Sequence, residues 1–337
     1  MLFDTHVHLI DRNRLSYPWL TDVPALNKDA SYADYVRQCR QLGIEQSLHM
    51  EVDVAENDME NESEFIKELM DSADSRVSGH QLAGAIAACR PEQAEFPAYL
   101  ERQMARPWIK GFRRVLHVVD DELSRSERFR SNISLLSDSG HVFDICARAD
   151  QLPAMAELID ACPDVQFVLD HCGVPNVKDA ALDPWRASIS DIAQRPNVAG
   201  KISGVIAYGN GLDWCIDDIR PFVEHTFEAF GAERVVWGSA HRCAHSVGRW
   251  QAGLQLRGNC LRECRAVSAL RFFIRMPSVS GAYSAPHCAL HHAPHQRHTT
   301  RCTTRAALPA LYSVLIIALL AVRRLQSIAT QFAQRIL

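Results

Sequence analysis

Short apolar runs alternate with longer amphipathic stretches over the first 239 residues of the chain. The runs are "LFDTHVHL" (2–9), "QSLHM" (46–50), "LAGAIAAC" (82–89), "WIKGFRRVL" (108–116), "HVFDIC" (141–146), "VQFVLDHCG" (165–173), "VAGKISGV" (198–205) and "RVVWGS" (234–239). Each is short and rich in Val, Ile, Phe or Ala, as a strand buried on both faces must be. Between them lie helix-like segments. "DYVRQCRQLG" (34–43) ends on a glycine suited to a C-cap, and "NESEFIKELMDSA" (61–73) puts Phe65, Leu69 and Met70 on one face. "QLPAMAELIDAC" (151–162), "ALDPWRASISDIAQ" (181–194) and "DDIRPFVEHTFEAFG" (217–231) continue the pattern. Strand and helix alternating eight times predict an α/β fold, a (β/α)8 TIM-like barrel. The alternative, a doubly wound sheet, usually has fewer strands and often a Gly-rich first turn, which this chain lacks.

Composition divides the chain at one residue. The 337 residues carry a formal charge of −4, but residues 1–239 hold 23 Lys and Arg against 39 Asp and Glu. Residues 240–337 hold 13 Arg, no Lys, no Asp and one acidic residue, Glu263, together with 7 of the 15 His and 5 of the 11 Cys. We therefore expect a barrel over 1–239 and an atypical basic tail over 240–337, with the eighth helix missing or aberrant. The tail histidines, His287 to His298, follow no helical or strand period and read as low-complexity coil. The stretch "AALPALYSVLIIALLAV" (306–322) is 17 residues with a proline inside, short for a membrane span. The first residues lack the basic and apolar regions of a signal peptide. The six cysteines before residue 240 show no CxxC spacing. A cytoplasmic chain with reduced thiols is expected, and the acidic body argues against a nucleic-acid partner.

Chemistry in such a barrel sits at the C-terminal ends of the strands. His6 and His8 fall there after strand 1, Arg113 after strand 4, Asp144 after strand 5, Asp170 and His171 after strand 6, and Lys201 and Ser203 on or after strand 7. Residues i and i+2 of a strand face the same side, so His6 and His8 can converge on one point. There they would serve as metal ligands or as donors to a substrate oxygen, or stand as ordinary strand-end histidines. His171, ending a second buried run, strengthens the first two readings. Asp4 either orients a ligand histidine or caps its turn. Asp170, Arg113 and Lys201 have buried ion pairing as their alternative, and Arg113 can otherwise clamp a substrate carboxylate.

The motifs "DTHVHL", "LSYPWL" (15–20), "IKGFRRVLH" (109–117), "FDIC" (143–146), "VLDHCGVP" (168–175), "GKISG" (200–204) and "FGAERVVWGS" (230–239) resemble, in order and spacing, the amidohydrolase-related family. The likeness is to its sugar-lactone and pyrone-dicarboxylate lactonase branch. It implies a distorted (β/α)8 barrel that opens a lactone by water attack on a small-molecule substrate. It places His6, His8 and His171 at the catalytic or metal-binding positions, with Arg113 and His117 on the substrate side. It implies either a divalent metal, Zn or Mn, or a metal-independent route in which the histidines polarise the carbonyl. The family's general base is an aspartate after strand 8, in a "WGSD" pattern. Here the line reads "WGSAHR", and Ala240 can neither take a proton nor bind a metal.

The lost aspartate and the change of composition begin at the same residue. A shift of reading frame near codon 240 accounts for both, because deleting the middle base of an alanine codon before a histidine codon can yield an aspartate codon. Two other readings remain: a catalytically inactive barrel that binds a carboxylate or sugar ligand and carries a natural basic tail, and a decarboxylase on the same scaffold. No membrane role is expected, and the oligomeric state stays open.

Overall fold

The computed structural model describes residues 2–72, 79–209 and 216–240. The eighth helix, the tail histidines and the apolar stretch 306–322 lie outside the described residues.

Eight strands follow one another in chain order within a single sheet: β1 (Leu2–Val7), β2 (Ile44–Met50), β3 (Gln81–Ala88), β4 (Ile109–Val115), β5 (Val142–Cys146), β6 (Gln166–Leu169), β7 (Val198–Ile202) and β8 (Val235–Trp237). Among the described residues, all seven strand pairings are parallel. Strictly sequential parallel order is what curls a sheet into a barrel, and it excludes the doubly wound alternative. Each strand coincides with a predicted apolar run.

Seven α-helices are described: α1 (Tyr32–Leu42), α2 (Met59–Asp71), α3 (Phe96–Met104), α4 (Glu127–Ile133), α5 (Leu152–Ala161), α6 (Trp185–Ile192) and α7 (Ile216–Phe230). Helix α1 starts where the Ser31 side chain accepts from Asp34 N, 3.1 Å, and stops where Gly43 turns left-handed at φ 71°. Helices α3 and α4 were not among the segments read from the pattern. α4 spans only 7 residues, too few for a visible period, although its Ser126 cap accepts from Phe129 N.

Apolar residues separate into two cores. Met50, Ile86, Val142, Val168 and Val236 plug the barrel from inside. The larger cluster packs strands against helices, with Phe112, Phe143, Phe167, Leu169 and Trp185 among its buried members. Above the inner plug the strand residues turn polar, and that change of chemistry along the barrel axis creates the site.

Among the described residues no strand ladder joins β8 to β1. Discrete bonds hold that seam instead. Thr5 Oγ1 donates to Trp237 O (2.7 Å), Ser239 N to Asp4 Oδ1 (2.8 Å) and Ala240 N to His6 O (2.9 Å). Gly238 is required there, since a Cβ at this position would lie 2.3 Å from His6 Cβ.

Candidate active site

His6 lies within β1 and His8 just beyond it, both buried. The β6 run ends earlier than the sequence suggested. β6 closes at Leu169, and Asp170–Gly173 form a tight turn with His171 at φ 56° and Cys172 at φ 54°. His171 is thus aimed by a left-handed turn rather than by a strand. Arg113 and Asp144 stand inside β4 and β5, and Lys201 inside β7.

The three imidazoles come together. His6 Nε2 is 3.1 Å from His8 Nε2, and the rings of His6 and His171 are 4.7 Å apart between centroids. His6, Asp170 and His171 each offer a ligand atom, all within 4.8 Å of one another. Two anchors orient the outer rings. His8 Nδ1 meets Met50 O at 3.0 Å, so it is the protonated nitrogen and Nε2 carries a lone pair. His171 Nδ1 meets Ser203 Oγ at 2.9 Å.

His6 then has no satisfactory neutral form. A proton on Nε2 serves His8 but turns the Nδ1 lone pair toward the Asp170 carboxylate, 3.6 Å away. A proton on Nδ1 serves Asp170 but sets two lone pairs face to face at 3.1 Å. Buried His6 Nδ1 goes without a hydrogen bond. A cation held by His6 and His8 would resolve this, leaving His6 Nδ1–H for Asp170. The 3.1 Å gap is close to the roughly 3.3 Å edge of a tetrahedron with Zn–N bonds of about 2.0–2.1 Å. A donor set of three imidazoles, with a carboxylate behind one of them, suits Zn²⁺.

Burial pushes the pKa of His6 and His8 well below the ordinary imidazole range, and that of His171 to about 4. All three are neutral at neutral pH, the form a metal binds.

Beneath the histidines lies a buried charge network. Arg113 donates to Glu51 Oε1 (2.6 Å), to Glu51 O (2.7 Å) and to Asp170 Oδ2 (3.3 Å). Lys201 pairs with Asp144 and lies 2.9 Å from Asp170 Oδ1. Burial opposes ionisation of Asp170, but Lys201 and His6 outweigh it and hold its pKa well below the carboxylate norm. Asp144 is pushed up to about 7 by burial, with Lys201 opposing. Arg113 and Lys201 are therefore engaged in buried ion pairs. His117, half-buried, directs Nδ1 to Cys146 Sγ at 3.2 Å.

Asp4 neither bonds a ligand imidazole nor simply caps a turn. Its Oδ1 accepts from His6 N (3.0 Å) and Ser239 N, and its Oδ2 from Tyr35 Oη (2.8 Å), tying β1, α1 and the end of β8 together. Ala240 is fully buried at φ 46° and bonded to the His6 carbonyl. That backbone conformation is one aspartate adopts more readily than alanine. Glu51, which follows "QSLHM" at the end of β2, was missed in the sequence. It stands at a strand end like the others and was legible by the same rule.

The family model for amidohydrolases matches residues 3–310. This chain belongs to the amidohydrolase family. The match continues past residue 240, where the composition changes. Over 256 residues this amidohydrolase is 28% identical to the uncharacterized protein y4mH of Sinorhizobium fredii, covering 71% of this chain and 84% of that protein. It is 24% identical over 258 residues to an L-fucono-1,5-lactonase of Burkholderia multivorans, covering 70% and 80%. A zinc-bound amidohydrolase structure from Burkholderia multivorans superposes with a TM-score of 0.61 at 21% identity, covering 81% of this chain and 99% of that one. The family and its lactonase-like branch, the barrel and the hydrolase class expected from the sequence are thereby shown. Among the described residues no helix is long and apolar enough to cross a membrane.

Proposed function

We propose that this amidohydrolase is built to open a lactone of the sugar or pyrone-carboxylate type by attack of water, and that the chain as written is impaired. The observation that carries the reading is the unsatisfied His6 between His8 and Asp170. His6, His8 and His171 would hold Zn²⁺ or Mn²⁺, with Asp170 fixing the His6 tautomer. Such an ion supplies Lewis-acid polarisation of the carbonyl and a lowered pKa for bound water. The Met50 carbonyl and Ser203 keep the His8 and His171 rings in place. Arg113, tied to Glu51 and Asp170, lines the substrate side together with His117. At residue 240, beside the histidines, the methyl group offers no acceptor for the water proton. The likeness to L-fucono-1,5-lactonases supports a small sugar-derived lactone as substrate. Buried Cys39, Cys89, Cys162 and Cys172 form no disulfide, which supports the cytoplasm as its compartment.

The test is proton release from a panel of aldonolactones and pyrone carboxylates, with and without added Zn²⁺ or Mn²⁺. The chain as written should turn over little. A chain with Asp at 240 and an in-frame sequence beyond it should turn over at least one member. Robust turnover by the chain as written would show that the aspartate is dispensable. Tight sugar-acid binding without turnover by the repaired chain would favour a binding barrel.

A further inference from the structure

A second reactive pair stands at the same end of the barrel, on neighbouring strands. Cys146 is the last residue of β5, and His117 follows β4 by two residues. The imidazole Nδ1 lies 3.2 Å from Sγ. Side-chain alternation decides which way the thiol points. Ile145 and Ala147 belong to the outer core, between strands and helices. Cys146 therefore faces the barrel axis, as Asp144 does two residues below it, and His117 reaches its sulfur from the turn after β4. The backbone holds this arrangement. Val115 pairs with Cys146 across the ladder, and the Cys146 carbonyl accepts from Leu116 N (2.8 Å) and His117 N (3.2 Å). The sulfur is buried and the imidazole only half-buried, so a molecule entering from the mouth meets the imidazole first. Arg113 lies within electrostatic reach of the sulfur.

We infer that Cys146 and His117 form a thiol–imidazole nucleophile that accepts acyl groups from activated esters, independently of the His6–His8–His171 centre. In the first step His117 Nδ1 takes the Sγ proton while sulfur bonds to the ester carbonyl carbon. The carbon–oxygen bond to the leaving alkoxide then breaks, and the imidazolium returns the proton to that oxygen. Water cleaves the thioester in the second step, releasing the acid and restoring the thiol. The net change is ester plus water to acid plus alcohol. Burial, with Arg113 and Arg148 nearby, lowers the pKa of His117 to about 4. The ring is thus neutral at neutral pH and free to accept a proton, and its imidazolium returns that proton readily.

The experiment treats the full chain with EDTA and then with p-nitrophenyl acetate, following nitrophenolate release and mapping acetylated peptides. The expected result is a burst of one acetyl group on Cys146, with Cys39, Cys89, Cys162 and Cys172 unmodified. Cys146→Ser should abolish the burst. His117→Gln should slow it by roughly 10²-fold, the scale of a lost general base, with the near-UV circular dichroism unchanged. Folded, unsubstituted protein whose Cys146 stays unacetylated overturns the proposal, as does acetylation at an equal rate in folded His117→Gln. Because the metal is stripped throughout, failure here is distinct from failure of the lactonase reading.

Discussion

Replacing Asp4 by Ala should be one of the most damaging single changes in the barrel, although Asp4 touches no reacting atom. Its carboxylate is fully buried and accepts from two backbone amides, His6 N and Ser239 N, and from Tyr35 Oη. Removing it strands two backbone donors and takes from the Tyr35 hydroxyl one of its partners. A buried donor left unpaired costs about 1–3 kcal/mol. Ser239 N is only part-buried, so its share falls at the low end. The sum is roughly 2–4 kcal/mol, a large fraction of the stability of an ordinary domain. Asp4→Asn makes the counter-experiment. Its amide oxygen can keep both backbone bonds, and its NH2 can donate to Tyr35 Oη, so it should cost no more than about 1–1.5 kcal/mol. Urea denaturation gives the two stabilities, and hydrogen exchange at the Ser239 and Ala240 amides reports the seam directly. Asp4→Ala should deprotect both amides and Asp4→Asn should leave them protected. If Asp4→Ala unfolds within about 0.5 kcal/mol of the parent, the seam does not depend on this carboxylate and the reasoning is wrong.

Gly238→Ala puts a Cβ 2.3 Å from His6 Cβ and must spread the same seam. We expect a loss of about 1–3 kcal/mol from overpacking alone, read as a lower urea midpoint, and weaker Zn²⁺ binding by calorimetry; an unchanged midpoint would rule this out. Acid should destabilise the fold between about pH 6.5 and 4. Burial lowers the pKa of His80, His117 and His171 to about 4 and that of His49 to about 3, so the unfolded chain takes up protons in that window that the folded chain refuses, and stability is present above it and lost as pH falls. A flat midpoint from pH 7 to 5 would count against neutral buried imidazoles. Ala240→Asp alone should restore little lactone hydrolysis to the chain as written, and recovery to within tenfold of the repaired chain would show that the sequence beyond 240 does not matter to the site.

The strands were legible because each is apolar on both faces, and burial on both faces leaves a run that no loop imitates. The histidines were legible because they interrupt such runs at their ends. What the sequence hid was pairing. Nothing near Arg113 in the chain says that it will be held by Glu51, 62 residues away, or that Lys201 will sit between Asp144 and Asp170. These partnerships depend on the register of neighbouring strands, which appears only when the barrel closes. His171 stands after β6, as read from the sequence, but its backbone conformation was hidden. "VLDHCG" is apolar enough to read as strand, yet the chain turns left-handed at His171 and Cys172. Helix α4 was missed for want of length.

The seam between β8 and β1 also has a kinetic meaning. The bonds that fasten it join residues 232 to 235 positions apart, from Thr5 to Trp237 and from Asp4 to Ser239. Every other strand pair joins neighbours in the sequence. Seven ladders can therefore form in order as the chain lengthens, each closing a modest loop, while the last closure waits for both ends. Its entropy cost is small once the intervening strands are in place, because the loop left to close is then the gap of a curled sheet rather than a free chain of over two hundred residues. His6 and His8 lie on the first strand to be made, but they acquire their final surroundings only when residues 235–240 arrive. The surroundings of the histidine cluster are thus complete only with residues 235–240 in place, and a chain ending before residue 235 would leave a sheet with an open edge.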